Sequence, residues 1–205
     1  MTRCSYNLLM MEQPIILIGP MGAGKSTVAR LLAARLGMPR CEMDEVRWDY
    51  YREIGYHEAK ARRIVEREGQ AGLFRYWKPF EAHAVERVLD EHQGSVIDFG
   101  AGHTVYEDET LFRRVEQALA PYDNVILLLP SPDPQVSLAI LNARAEAVIR
   151  EDLGQPLPPE VMREVFALNE QLLAHPSNSR LAKLVVYTID KTPEETCEEI
   201  VRRRI

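Results

Sequence analysis

Cysteine is scarce in this chain. Cys4, Cys41 and Cys197 are an odd set of three among 205 residues, with no CxxC spacing. A disulfide framework is excluded on that pattern, and a reducing, cytoplasmic compartment is expected. Long apolar runs are missing too. No segment reaches the roughly 18 residues needed to span a bilayer, so no membrane role is expected. Residues 1–12 are too short and mixed to read as a signal peptide and are expected to form a flexible tail. An excess of base is also absent: 25 Lys and Arg stand against 31 Asp and Glu, a net charge of −6. Nucleic-acid binding, which leaves a basic footprint, is not expected. The five histidines are scattered, without metal-ligand spacing. No internal repeat or low-complexity linker divides residues 1–205, which reads as a single domain.

What is present is a strict alternation. Apolar runs at 14–18, 95–99 and 124–129 read as strands buried on both faces, with a β-branched run at 183–189 and a shorter segment at 39–43. Helical spacing fills 26–36, 81–91, 107–119, 134–149, 159–173 and 192–203. Strands alternating with helices predict an α/β fold, a three-layer αβα sandwich around a parallel five-stranded sheet. Two segments interrupt the alternation. Residues 44–78 are charge-rich and helical, and read as an acceptor-binding insertion. Residues 144–159 hold Arg144, Arg150, Gly154 and three prolines, and read as a lid.

The sharpest motif is Gly19-Pro-Met-Gly22-Ala23-Gly24-Lys25-Ser26-Thr27. It follows an apolar strand and opens an amphipathic helix, the context a phosphate-binding loop requires. Glycines let successive backbone N–H groups face one concavity, and the helix N-terminus adds partial positive charge. Lys25 is expected to reach the β- and γ-phosphates of a nucleoside triphosphate. Ser26 is expected to ligate Mg²⁺, and Thr27 to lie near the α-phosphate. Asp98 ends a buried strand beside this loop, where an acid can bind Mg²⁺ through water. Glu42 is a further candidate for that metal. Asp44 follows a strand and is a candidate base toward an acceptor hydroxyl, or else a helix cap.

The loop is similar to that of shikimate kinase and its relatives, and the likeness runs on in order. Glu42-Met43-Asp44 resembles an Asp-x-Asp pair, Leu73-Phe74-Arg75 a Gly-Phe-Arg segment, and Gly100-Ala101-Gly102 a triple-glycine turn. Residues 185–200 resemble the last strand, the adenine-side loop and the last helix. The resemblance implies a P-loop kinase fold and Mg-ATP-dependent phosphoryl transfer to a small-molecule hydroxyl. It implies Thr192 and Pro193 beside the nucleotide, and Arg75, Gly100 and Gly102 around the acceptor; His103, next after that turn, is a further candidate to face it. The chain departs from the family at Glu42 and Ala101. It lacks the Arg-Pro-Leu-Leu lid motif, leaving Arg144 and Arg150 as candidates to meet the transferred phosphoryl group. Where a second acceptor-binding arginine is expected, spacing offers Gln171, with Arg180 as a substitute. The alternatives are a nucleotide or nucleoside kinase, and a P-loop switch without metabolite transfer. A monomer or a homodimer is expected.

Overall fold

The computed structural model describes residues 13–204. The expected tail and Cys4 lie outside the described residues. The apolar runs form strands β1 (Ile15–Ile18), β2 (Arg40–Glu42), β3 (Val96–Asp98), β4 (Val125–Leu129) and β5 (Leu184–Tyr187). All are parallel, in the order β2-β3-β1-β4-β5. Near-continuous hydrophobicity follows from a sheet covered on both faces. Ile16 and Ile18 face a core shared with Ile97, Val125 and Leu127, while Ile15 and Leu17 face one shared with Val96, Ile126 and Leu128. Successive side chains point to opposite sides of a strand, so each run feeds both cores.

The helices are α1 (Lys25–Leu36), α2 (Met43–Glu53), α3 (Glu58–Glu91), α4 (Glu109–Leu119), α5 (Pro134–Leu153), α6 (Pro159–Ala174), α7 (Ser177–Leu181) and α8 (Pro193–Arg203). Helices α1 and α8 supply Val28, Leu32 and Ile200 to one core, and α2, α3 and α4 supply Tyr51, Val85 and Phe112 to the other. The expected three-layer sandwich is the observed fold. Its caps are legible as well: Asp108 and Asp133 accept first-turn N–H groups of α4 and α5, and Thr192 forms a capping box with Glu195 before Pro193.

Three features differ from the expected element boundaries. The helix expected at 81–91 begins far earlier, at Glu58, so the insertion and the core helix are one rod broken at Gly69 (φ 65°). Helix α5 runs on to Leu153, into the expected lid. Residues 144–153 favour helix and contain no glycine, and Gly154 then takes the left-handed conformation that ends a helix. Only 154–158 is irregular before α6 packs back on α5. The short α7 was not expected. From β1 the chain crosses to β2, returns to β3, then crosses β1 to reach β4. The direction of winding reverses there, and the carboxyl ends of such strands form the crevice of doubly wound sheets.

Candidate active site

The phosphate loop occupies that crevice. Gly19 has φ 137°, and a Cβ on it would lie 2.5 Å from the Leu128 carbonyl oxygen of β4. No larger residue fits where the loop leaves the sheet. Gly22 and Gly24 also have positive φ, and Gly24 precedes α1 without any side-chain cap. The first N–H groups of α1 therefore face the loop concavity, a ready anion site. Lys25 is only 8% exposed, and its Nζ donates to the Pro20 carbonyl at 3.2 Å. Burial pulls its pKa down, while Asp98 and Asp44 push it up. Ser26 and Thr27 stay exposed at the mouth.

Asp98 ends β3 as a buried acid whose Oδ1 has no hydrogen-bond partner. Burial raises its pKa, and Lys25 and the Ser26 side chain oppose that. An orphaned buried carboxylate oxygen beside Ser26 fits a cation. Glu42 lies opposite Asp98 in the sheet register but is ion-paired with Arg40. Of the three candidate metal residues, Ser26 and Asp98 are brought together and Glu42 is engaged elsewhere. Among the described residues no cluster of three His, Cys, Asp or Glu is placed to hold a metal.

Asp44 is not the cap of α2; Glu42 takes that position, without a side-chain bond. Asp44 instead projects from the first turn, 62% exposed. Its Oδ1 would lie 2.5 Å from a Cβ on Gly100, so a side chain there would collide with this carboxylate. The turn continues as a short 3₁₀ helix, Ala101–Thr104. Buried His103 lies within it, its Nδ1 donating to the Gly100 carbonyl at 3.3 Å and its Nε2 facing the Tyr51 hydroxyl at 3.4 Å. Burial pushes the His103 pKa down to about 3, and Arg47, Lys78 and Lys25 press it in the same direction.

That shift predicts a pH dependence. Between pH 6.5 and about 3 the unfolded chain takes up a proton at this imidazole and the folded chain does not. The stabilisation is complete above pH 6.5 and is lost as pH falls toward 3, at up to about 1.4 kcal/mol per pH unit. Denaturant unfolding of His103→Gln against the parent chain at pH 7, 6 and 5 checks it. The variant is expected to lose this slope. Glu81 and Asp98, whose pKa values burial raises, contribute the opposite slope in both proteins and cancel in the comparison.

Beyond Gly102 a cleft of about 940 Å³ opens between α3, the segment after the 3₁₀ turn, and α6. Lys78 sits at its inner end. It donates to the Gly102 carbonyl at 2.9 Å and to Glu81 at 2.6 Å. Glu81 is buried, and its Oε1 would lie 2.6 Å from a Cβ on Gly102. Arg75, the expected acceptor arginine, is on the same face one helical turn earlier. It lies on the cleft rim, exposed, with its guanidinium 2.9 Å from Glu68. The base that reaches the glycine turn is therefore Lys78, because the turn lies farther along α3. Sequence reading passed over Lys78 and Glu81, although their spacing of three on a helix was the available signal.

Arg47 was passed over too. Its Nη1 lies 3.1 Å from Asp44, and its guanidinium covers Trp48 at 4.5 Å and Trp77 at 5.4 Å. These rings belong to a continuous aromatic packing cluster with Tyr51, Tyr56, Tyr76 and Phe80. Of the two lid arginines, Arg144 reaches the phosphate loop, donating to the Gly22 carbonyl at 3.2 Å. Arg150 pairs with Glu146 on the exposed side of α5. Arg180 does not line the cleft: it lies 3.8 Å over the Phe112 ring and pairs with Glu109 and Glu116. Its aromatic seat and two acids hold it against α4. Gln171 does reach the cleft, where it donates to Glu107 at 3.4 Å.

The profile of the family described as shikimate kinase matches residues 21–204. The chain belongs to the shikimate kinase family. The shikimate kinase of Chromohalobacter salexigens is 33% identical over 92% of this chain and 90% of its own length. That of Rhodopseudomonas palustris is 32% identical over 80% of this chain and 85% of its own. Among solved structures, shikimate kinase from Acinetobacter baumannii in complex with shikimate shares the fold, with a TM-score of 0.58, 22% identity, and coverage of 94% of this chain and 93% of that one. As a member of the shikimate kinase family, the chain is an ATP-dependent small-molecule phosphotransferase. No helix among the described residues is long and apolar enough to cross a membrane.

Proposed function

We propose that the chain transfers the γ-phosphoryl group of Mg-ATP to a hydroxyl of a small carboxylated, polyhydroxylated metabolite, with shikimate as the reference acceptor. The observation that carries this reading is the convergence of Lys25, Asp98 and Asp44 at the phosphate loop with Lys78 beyond the Gly100–Gly102 turn. The phosphate cradle and the cleft that holds Lys78 meet at the Gly100–Gly102 turn.

Each residue has a role that its position supports. The loop N–H groups and Lys25 hold the phosphates. Ser26 and the free oxygen of Asp98 fit Mg²⁺, which takes most of its ligands from phosphate and water. When bound, Mg²⁺ neutralises charge on the phosphates. Exposed Asp44 accepts the proton of the attacking hydroxyl and fixes its direction. Arg144 stands over the loop, where it can pair with the group in transit. Thr192 and Pro193, the cap and first residue of α8, are assigned to the nucleotide. Gly102, His103 and Gln171 shape the acceptor side, where Lys78 supplies positive charge. Bound substrate excludes water, which otherwise competes as acceptor.

The test is ADP release from Mg-ATP together with mass detection of product. Acceptors are offered in turn: shikimate, a pool of hydroxy acids, nucleoside monophosphates, and neutral polyols. A phosphorylated shikimate or hydroxy acid is the expected product. Phosphoryl transfer to nucleoside monophosphates alone, or ADP release with no acceptor consumed, overturns the reading.

A further inference from the structure

One cation near the reacting centre has no role in the scheme above. Arg47 stands one helical turn after Asp44 on α2, so both side chains rise from the same face. It is held flat rather than free in solvent. Its guanidinium lies over both tryptophans of the chain, and its side chain is only 20% exposed. Its Nη1 meets Asp44, but its buried Nε has no partner. A planar donor fork, stiffened by two rings and only partly engaged, is preorganised for an oxyanion. Its one carboxylate partner is the group assigned to the acceptor hydroxyl. An acceptor hydroxyl bonded to Asp44 brings its own substituents to the arginine.

The surroundings point the same way. Arg47, Lys78 and Lys25 all bias buried His103 toward its neutral form, so each stands near the Gly100–Gly102 turn, with Asp44 and Glu81 as the acids against it. Lys78 is largely committed to Glu81, and Lys25 belongs to the phosphate loop. Arg75 and Arg180 are paired with acids at the rim of the cleft and outside it. Arg47 is the arginine beside Asp44 that can exchange a protein carboxylate for a substrate one.

We propose that Arg47 is the specificity-determining residue of the acceptor site, binding the carboxylate of the acceptor whose hydroxyl is held by Asp44. This rests on the phosphoryl-transfer reading above. It makes the chain select acids over otherwise equal neutral polyols.

Both tryptophans report on this residue, so intrinsic fluorescence reads its occupancy without turnover. The probes are shikimate and gluconate, with methyl shikimate and glucitol as their uncharged counterparts. The wild type is expected to show a saturable fluorescence change with an acid and none with its neutral counterpart. Arg47→Met keeps the apolar length between the rings and removes the fork. It is expected to weaken binding of the acid, and to raise its KM, by about 10- to 100-fold, the range of a charged hydrogen-bond pair. Its kcat and its KM for ATP are expected to stay close to wild type, and Arg47→Lys to recover part of the affinity. A thermal melt establishes that both variants are folded.

Three results overturn the proposal. If Arg47→Met leaves the preference of acid over neutral compound unchanged while the wild type phosphorylates the acid, phosphoryl transfer to an acid stands and Arg47 has no part in selecting it. A fall in kcat for acid and neutral acceptors alike makes Arg47 a support for Asp44 only. Turnover of neutral polyols alone by the wild type removes the carboxylate from the proposed function, and Arg47's role with it.

Discussion

Lys25→Ala is expected to lower phosphoryl transfer by about 10³-fold or more, equal to roughly 4 kcal/mol of transition-state stabilisation. The reason is geometric. Lys25 is buried with its Nζ folded onto the Pro20 carbonyl, so its charge is aimed into the loop rather than into solvent. Removing it leaves the loop N–H groups to hold the phosphates alone, while charge on the transferred group goes uncompensated. The fold is expected to survive, because Asp98, the acid nearest in charge to Lys25, has a carboxyl that burial already raises and can take a proton when the lysine is gone. Steady-state ADP release and a melting curve on the same preparation check both halves. Normal turnover in a folded Lys25→Ala protein sinks the assignment of this loop to phosphate binding.

Asp44→Asn is expected to separate the two substrates. The amide keeps the size of the side chain and its place against Gly100, but it no longer accepts a proton. Transfer to the acceptor is expected to fall by about 10²- to 10⁴-fold, the usual contribution of a positioned general base. Affinity for ATP, measured by equilibrium titration, is expected to change little, since Asp44 is exposed and lies outside the loop that holds the phosphates. A collapse of ATP affinity instead makes Asp44 part of the metal or phosphate site. Its position in the first turn of α2, ion-paired with Arg47 and not acting as a cap, favours the first outcome.

The legible part of the site is the part whose chemistry is local in the chain. The phosphate loop needs glycines, a lysine and a hydroxyl at fixed spacing, because one strand, one turn and one helix start build it. Asp98 was legible for a similar reason: it is the polar end of an apolar run. The acceptor side was less legible because it is assembled from α2, α3, the turn after β3, and α6. Arg75 matched a motif, yet Lys78 is the base that meets Gly102. Arg180 was the right residue type in the wrong place, drawn onto Phe112 and the acids of α4. Helix α5 was expected to end at 149 and ends at Leu153, because residues 150–153 still favour helix and Gly154 is the first to take the left-handed conformation that stops one.

The sequence by itself determined the alternation of strands and helices, the parallel sheet that such alternation requires, the phosphate loop, and the family. Each depends on periodicity or spacing within one or two consecutive elements. Only the tertiary structure decided which cations serve the acceptor. Side chains far apart in the chain meet according to helix length, the break at Gly69 and the packing of α2 on α3. Those distances set which ion pairs close, and so leave Arg47 beside Asp44 and Lys78 at the inner end of the cleft.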